Sequence, residues 1–445
     1  DIVSVVRLFQ AEKTSNVLVR DDVAQPPRWG IFTTSGLQRA ILDGRPLDRL
    51  PVGELASWEL ITVRPDDQVG EALVLMQRHG VHRVVVQDDG KILGLLESLD
   101  LFGFLSNHSM LIDRRLRAAT DLDALARAAA QMNDMIRRQY RGGTRVALLA
   151  RLVQDLNGRL FEQAWQLIAP PELVQNSCLL VMGSEGRGEQ LLKTDQDNAL
   201  LLRDGYVPPD DLPAICARFS EALARFGYPP CPGNVMLSNA TWRGTVQDFA
   251  RRVRKWLVLP EADSLINLAV FMDAHAVCGD AELLASLRRQ VFGMLADDDA
   301  MMSRFAAVVD AFGDGTRWWR RMLGGGEANL NVKKAGMFPL VHGVRSMALA
   351  ERIDATSTEA RIRALQEAGA LDAETAQELT ESLHFFMGLR LKAGLDEMDR
   401  GQPVSGKVDL AGLTPLERDL LKDALAAVRR FRAQLRLRFR LGAVS

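Results

Sequence analysis

The stretch Cys178-Leu179-Leu180-Val181-Met182-Gly183-Ser184-Glu185-Gly186-Arg187-Gly188-Glu189-Gln190, continued by Leu191-Leu192-Lys193-Thr194-Asp195-Gln196-Asp197-Asn198-Ala199-Leu200-Leu201-Leu202, decides how this chain is read. It opens as an apolar strand, breaks at a glycine-rich turn, passes through a short polar helix and enters a second strand carrying two carboxylates. Residues i and i+2 of a strand point to one face. Asp195 and Asp197 therefore converge, and Gln196 points away. Two bare carboxylates at that spacing repel, and one tends to hold a proton. A divalent cation removes the conflict, and oxygen ligands are what Mg²⁺ prefers. The apolar run Ala199–Leu202 says that the strand is buried, so an unengaged carboxylate pair at its start would be costly. The bland alternative, a surface turn capped by two aspartates, does not explain that cost.

Two phosphate-loop readings fail on the same residues. Gly183 and Gly188 have P-loop spacing, but Glu189 and Gln190 stand where a lysine and a hydroxyl residue are needed. The dinucleotide fingerprint G-x-G-x-x-G fails because residue 185 is Glu. The better match is an apolar strand, Gly183-Ser184, residues 185–194, then Asp195-x-Asp197. This order resembles the nucleotidyltransferase fold of the DNA polymerase β type. The wording from Gly183 to Gln190, with Thr194-Asp195-Gln196-Asp197-Asn198, resembles bacterial nucleotidyltransferases fused to CBS domains, relatives of the uridylyltransferase of the PII signal protein. Cys231-Pro232-Gly233-Asn234-Val235-Met236, Trp242-Arg243, Phe271-Met272-Asp273 and Gly279-Asp280 fit the same group.

The resemblance implies NMP transfer from an NTP to a protein or small-molecule acceptor. Asp195 and Asp197 would be catalytic and would hold Mg²⁺ (or Mn²⁺). Gly183 lets the backbone approach phosphate, Ser184 and the amides after it can bind the terminal phosphates, and Arg187 can add a bidentate charge. Such enzymes usually have a third carboxylate on a later strand. Asp273 is the candidate, because it interrupts the apolar run Leu265–Phe271; Asp263 is a weaker one.

The N-terminus contains a repeat. Asn16-Val17-Leu18-Val19, a polar turn and Gly30-Ile31-Phe32-Thr33 precede a helix through Leu37 and Ile41. Arg83-Val84-Val85-Val86, the turn Asp88-Asp89-Gly90 and Gly94-Leu95-Leu96-Glu97 precede a helix from Leu99 to Leu105. A helix precedes each first strand, Val3 to Glu12 and Gln68 to His79. Residues 1–109 thus resemble a CBS-domain pair, which implies an adenine nucleotide (AMP, ADP or ATP) bound near Thr33 and Asp100. An ionised carboxylate suits a ribose diol, because it accepts two hydrogen bonds. Each unit keeps half of that pattern. The first has Thr33 but Gly36 in place of Asp, and the second has Asp100 but Glu97 in place of Thr or Ser. The alternative is a CBS pair kept as a dimerisation or lever element.

Composition excludes several classes. The 445 residues are 47% hydrophobic with a net charge of −2, which speaks for a globular chain and against a dedicated nucleic-acid coat. The four cysteines form no C-x-x-C pair and read as reduced thiols of a cytoplasmic protein. His79 and His82 lack the partners of a zinc set. No apolar run approaches the ~20 residues of a membrane span, and the opening does not read as a charged-then-apolar leader. A first residue of Asp reads as a truncated start, and the resemblance places a cyclic-nucleotide-binding domain upstream in many members.

The rest reads as helical. Residues 120–169 form two helices with Thr120 and Thr144 as candidate N-caps. Past the loop Gly324-Gly325-Gly326, helices are expected near 340–352, 357–369, 373–399 and 415–440. Leu421, Leu425, Val428, Phe431 and Leu435 make the last one amphipathic. Its arginines, from Arg429 to Arg440, read as a solvated face with buried stems rather than a nucleic-acid patch. The resemblance assigns this region to substrate binding, with Lys333, Lys334, His342 and Arg345 facing a triphosphate or an acceptor.

The expected fold is α/β plus α. A CBS-domain pair at 1–109 precedes a helical linker with a polymerase-β-type nucleotidyltransferase domain at 110–285, then a helical substrate-binding bundle at 286–445. A CBS-regulated cytoplasmic signalling transferase, associating as a homodimer through the CBS pair, is the leading expectation. The rival is a non-catalytic adenine-nucleotide sensor that binds a partner protein through a degenerate transferase domain.

Overall fold

The computed structural model describes residues 1–12, 14–25, 27–67, 69–258, 262–295, 299–310 and 329–441. The loop Gly324–Gly326 and the side chain of Asp100 lie outside the described residues. Residues 1–106 and 107–445 form two compact units.

The first unit repeats one pattern. Helix α1 (Ile2–Ala11) is capped by the Asp1 carboxylate, which accepts from Ser4 N at 2.7 Å. Strands β1 (Asn16–Asp21) and β2 (Arg28–Thr33) pair antiparallel, and α2 (Thr34–Asp43) follows. The second copy is β3 (Thr62–Val63), α3 (Val69–His79), β4 (Arg83–Asp88), β5 (Lys91–Glu97) and α4 (Ser98–Arg117). Strands β4 and β5 join at Asp89-Gly90, both at positive φ (43° and 81°). That two-residue turn matches the twist of a hairpin. Each copy buries its own core, Ile2, Phe32, Ala40 and Leu50 in one and Val63, Ala72, Met76, Val84 and Leu101 in the other.

The second unit begins inside α4, at residue 107, and continues with α5 (Leu122–Arg141), α6 (Val146–Ile168) and the short α7 (Pro171–Gln175). Neither expected threonine caps a helix. Asp121 caps α5, its carboxylate accepting from Ala124 N at 2.7 Å, because a carboxylate at that position outcompetes Thr120. The Thr144 hydroxyl instead donates to Gln139 Oε1 at 2.9 Å. Next come β6 (Ser177–Val181), the one-turn helix α8 (Gly183–Gly186), β7 (Asn198–Leu202), α9 (Leu212–Arg225), β8 (Arg243–Thr245), α10 (Val246–Val258), α11 (Ala262–Phe271), β9 (His275–Gly279) and α12 (Ala281–Leu295). The sheet order is β8-β7-β6-β9, parallel only between β7 and β8. Every residue of β6 and β7 is buried, so neither face of these strands meets water. Trp165 of α6 meets Phe219 of α9 edge-on at 5.4 Å, fixing two of the covering helices.

The chain ends in helices: α13 (Asp299–Ala307), α14 (Phe338–Ala350), α15 (Thr358–Glu367), α16 (Ala373–Asp399) and α17 (Pro415–Arg438), with a small ladder between β10 (Asn329–Leu330) and β11 (Val408–Asp409). A π-helical turn, Lys333–Met337, leads into α14. Helix α17 starts at a complete capping box, Thr414 with Glu417. Its expected apolar seam, Leu421 to Leu435, is buried. Its arginines meet carboxylates of the same unit: Arg430 with Glu378, Arg432 and Arg436 with Asp310, and Arg438 with Glu351. Among the described residues no helix is long and apolar enough to cross a membrane.

Candidate active site

The turn after β6 is built around Asp197. Met182 N donates to Asp197 O at 2.8 Å, and the strand ladder proper starts one residue later, where Asn198 pairs with Val181. Asp195 and Asp197 therefore precede β7 in the run leading into it, rather than lying on the strand. Gln196 does point the other way: its amide donates to the carbonyls of Ser220 and Tyr228, both at 3.0 Å. Gly183 sits at φ 56°, and a Cβ there would fall 2.4 Å from Asp197 Oδ2. Only glycine satisfies both the left-handed backbone and the close carboxylate. Gly183→Ala should destabilise the fold by about 1–3 kcal/mol in urea melts. It should also displace Asp197.

The segment Cys231–Met236 borders the pair. Asn198 N donates to Val235 O at 3.0 Å, Leu237 N donates to Asn198 Oδ1 at 2.9 Å, and the Cys231 thiol donates to Asp197. Burial raises the Asp197 carboxyl to about 6, against the pull of that thiol and of Lys333, and the Asp195 charge pushes the same way as burial. No ion pair engages Asp197 or Asp195 among the described residues. Lys333, exposed at the start of the π-helical turn, lies within electrostatic reach of both carboxylates, as does Arg187 of Asp197. Two half-buried carboxylates with no direct ion pair fit a hard divalent ion, which commonly takes one or two carboxylates and completes its shell with phosphate and water. Among the described residues, no third His, Cys, Asp or Glu joins them to form a metal-holding group.

Asp273 belongs to a different cluster. It lies in the turn between α11 and β9 with 0% of its surface exposed. Its Oδ2 accepts from Arg187 Nη1 and Arg345 Nη2, both at 2.5 Å; its Oδ1 accepts from Arg345 Nε at 3.0 Å and Arg361 Nη1 at 2.8 Å. Burial alone would raise this carboxyl, but the three guanidiniums outweigh it and hold it well below the usual range. Two residues expected at a triphosphate, Arg187 and Arg345, thus face Asp273, with Arg187 also reaching Glu189 Oε2 at 2.6 Å. The physical reason is Gly186: a Cβ there would lie 2.1 Å from Asp273 O, so α8 presses backbone to backbone on that turn. His342 supports the cluster. Its Nδ1 faces Arg345 at 3.2 Å and its Nε2 faces Phe305 O at 2.7 Å, and burial, then Arg345, lowers it to about 3. A neutral imidazole that accepts at one nitrogen and donates at the other satisfies both contacts. Glu189 Oε1 accepts from Thr358 N at 3.0 Å, tying the motif to α15.

Ser184 remains at the turn, half-buried, donating to Gln190 Oε1 at 2.9 Å. It lines a narrow cleft with Gln190, Thr194, Met387 and Arg390. Lys334 is exposed, and its backbone N–H donates to Asn331. Lys193 is not a phosphate residue: its ammonium donates to the carbonyls of Ala129 and Phe226, both at 2.7 Å. Behind the turn, Glu185 is buried; it accepts from Asn157 Nδ2 at 2.9 Å, and Tyr228 Oη donates to Asn157 Oδ1 at 2.6 Å. Burial raises Glu185 to about 8, against the Asn157 bond. A carboxyl raised on folding favours the native state at low pH, and that preference is lost as pH climbs from about 4.5 towards 8. Glu185→Gln should therefore gain stability relative to wild type on going from pH 6 to pH 9, by roughly 2 kcal/mol in paired denaturant melts.

In the first unit, Thr33 ends β2 and Glu97 ends β5. Glu97 accepts from Asn16 Nδ2 at 2.8 Å and lies 3.8 Å from Arg83 Nε, so its charge is engaged within the unit. A Cβ on Gly36 would sit 2.8 Å from the Phe32 ring, which leaves no room for the ribose carboxylate.

Three family models match in chain order. They are CBS domain at residues 52–107, Putative nucleotidyltransferase DUF294 at 130–263 and Putative nucleotidyltransferase substrate binding domain at 299–439. The chain belongs to the DUF294 family, with a CBS domain ahead of the matched stretches. In this family's terms, the Gly183-Ser184 turn and the Asp195–Asp197 pair lie in the nucleotidyltransferase domain. Lys333, Arg345, Arg361 and Arg390 lie in the substrate-binding domain, and Asp273 falls between the two matched stretches. An uncharacterized protein of Methanocaldococcus jannaschii is 29% identical over 65 residues, 15% of this chain and 35% of that one. The chain thus spans about a third of the curated relative it matches. Two solved structures each match 23% of this chain. A "putative signal-transduction protein with CBS domains" from Burkholderia ambifaria is 24% identical over 75% of its own length, with a TM-score of 0.22. An uncharacterized conserved protein from Pyrococcus horikoshii is 28% identical over 76%, with a TM-score of 0.21.

Proposed function

We propose that this family member transfers a nucleoside monophosphate from an NTP to a protein or small-molecule acceptor, as the PII uridylyltransferase resemblance suggests. The observation that carries the reading is the Asp195–Asp197 pair, half-buried beside a glycine that a left-handed backbone and a close carboxylate both require, with no ion pair of its own among the described residues. Asp195 and Asp197 would hold Mg²⁺ or Mn²⁺; when bound, the ion supplies positive charge to the phosphoryl oxygens. An acceptor oxygen would form a bond to the α-phosphorus, the α–β phosphoanhydride would break, and pyrophosphate would leave. Gly183 keeps the Asp197 carboxylate against the turn. Ser184 offers a hydroxyl beside it, and Lys333 adds a cation from the substrate-binding domain. The one-turn α8 is too short to contribute much of a dipole, so side chains must supply most of the charge.

The CBS unit would report adenylate state by biasing a conformational equilibrium, within a cytoplasmic homodimer. Because Gly36 leaves no carboxylate in the first copy, any ribose contact would fall to the second. The test is labelled NTP, Mg²⁺ and a lysate of the cells that make the protein. Wild type should label an acceptor that Asp195→Asn/Asp197→Asn does not; equal labelling, or none, would remove the transferase reading. A non-catalytic sensor draws support from the engagement of Asp273 by three arginines, and it would show NTP binding without pyrophosphate release.

A further inference from the structure

The arginines of the second unit's interior divide into two kinds. Arg187, Arg345 and Arg361 share Asp273, and each has a carboxylate partner. Arg390, on α16, has none among the described residues. Its Nη1 lies 3.6 Å from Met337 Sδ, its Nε is buried without a hydrogen-bond partner, and its guanidinium rests beside Gly406, whose φ is 67°. Buried guanidinium donors without acceptors are costly, and such groups persist where a ligand completes them. Arg390 lines the same cleft as Ser184, Glu189, Gln190 and Thr194, within electrostatic reach of Asp195, Glu189, Arg187 and Lys333; Glu189 is itself engaged by Arg187 and Thr358. A planar fork with an unpartnered Nε, lining one cleft with Ser184 within electrostatic reach of Asp195, is an arrangement that can recognise phosphate oxygens.

We propose that Arg390 grips the β- and γ-phosphates of the nucleoside triphosphate, opposite Ser184, so that the substrate-binding domain holds the leaving pyrophosphate. The proposal rests on the transferase reading of Asp195 and Asp197. It assigns to α16 the charge that Arg187 and Arg345, engaged at Asp273, do not offer. The cleft recognises the phosphates rather than the base, so inorganic pyrophosphate is a sufficient probe, and an adenine-nucleotide site in the CBS unit would not confuse it.

The experiment titrates the full chain with pyrophosphate in the presence of Mg²⁺, by calorimetry and by thermal melting. Wild type, Arg390→Gln and Arg390→Lys are compared, with acceptor labelling run in parallel. Arg390→Gln should lose pyrophosphate affinity by about 10- to 100-fold, and Arg390→Lys should fall between, because it keeps the charge but not the fork. Without ligand, Arg390→Gln should melt at or above the wild-type temperature, because it removes a cation for which burial and the neighbouring Arg187 outweigh the pull of Asp195 and Glu189. Only the ligand-induced rise in Tm should disappear. Equal pyrophosphate binding by wild type and Arg390→Gln, with labelling intact in wild type, would overturn the assignment of Arg390 and leave the transferase reading standing. A lower ligand-free Tm in both variants, with the ligand-induced rise kept, would make Arg390 structural and overturn it too. Wild type that neither binds pyrophosphate nor labels an acceptor would remove the transferase reading, and this proposal with it.

Discussion

Asp273→Asn should destabilise the second unit by about 3–5 kcal/mol, the cost typical of removing one partner from a buried ion cluster. Asp273 is wholly buried, and its two oxygens receive four bonds from Arg187, Arg345 and Arg361. Asparagine keeps the shape but turns one acceptor into a donor that faces a guanidinium. Arg187 retains Glu189, and Arg361 retains the carbonyls of Met272 and Ala355, both at 2.8 Å. Arg345, which bonds both oxygens, would lose one of those two bonds and keep the other, together with His342, which its Nη1 meets at 3.2 Å. Denaturant melts of wild type and variant give the difference directly. The pH dependence adds a signature. A carboxyl depressed on folding stabilises above its unfolded pKa, and this is lost as pH falls through the folded one. The folded value lies well below the usual range. The gap between wild type and Asp273→Asn should therefore be constant from pH 5 to pH 8 and shrink only below about pH 4. A gap already closing at pH 6 would mean that the cluster is not the one described.

Asp195→Asn and Asp197→Asn should each lower nucleotidyl transfer by about 10³-fold or more, as expected when a ligand of an essential cation is lost. The fold should remain. Asp197 has no ion pair among the described residues, and its carboxylate is held only against Gly183 and the Cys231 thiol. Replacing a half-buried charge that has no ion pair with a neutral amide of the same shape relieves its desolvation, so Asp197→Asn should melt at or above wild type. Activity lost with stability kept or gained marks a group retained for function. A structural aspartate would show the reverse, with activity and Tm falling together. Kinetics with labelled NTP and melting curves on the same samples separate the two cases.

The opposite expectations for Asp197 and Asp273 show what the sequence could and could not reveal. The glycine turn and the buried strand after it were legible because their chemistry is local, but the i and i+2 strand reading of Asp195 and Asp197 was not met, since the ladder starts only at Asn198. The C-terminal helices were legible for the same reason, since helical periodicity and caps act within a few residues. The expected helix at 373–399 is α16, Ala373–Asp399, to the residue. The third carboxylate was not legible. Asp273 signals itself as a charge in an apolar run, but its partners lie 72, 86 and 88 positions away in the chain. Nothing in local spacing announces Arg361 as one of them. Arg345 read as a phosphate ligand because it is a basic residue in a substrate-binding stretch; the fold buries it against Asp273 instead. Arg390 was missed for the converse reason. An arginine on a long helix reads as solvated, and only the packing of α16 beside Gly406 and the Ser184 turn leaves its donors inside a cleft.

The most direct test is a crystal structure of the full chain with Mg²⁺ and a non-hydrolysable nucleoside triphosphate. The expected result is metal density between the carboxylates of Asp195 and Asp197, with the triphosphate beside Gly183 and Ser184. Nucleotide found only in the CBS unit, with Asp195 and Asp197 binding neither metal nor phosphate, would contradict a transferase site at this turn.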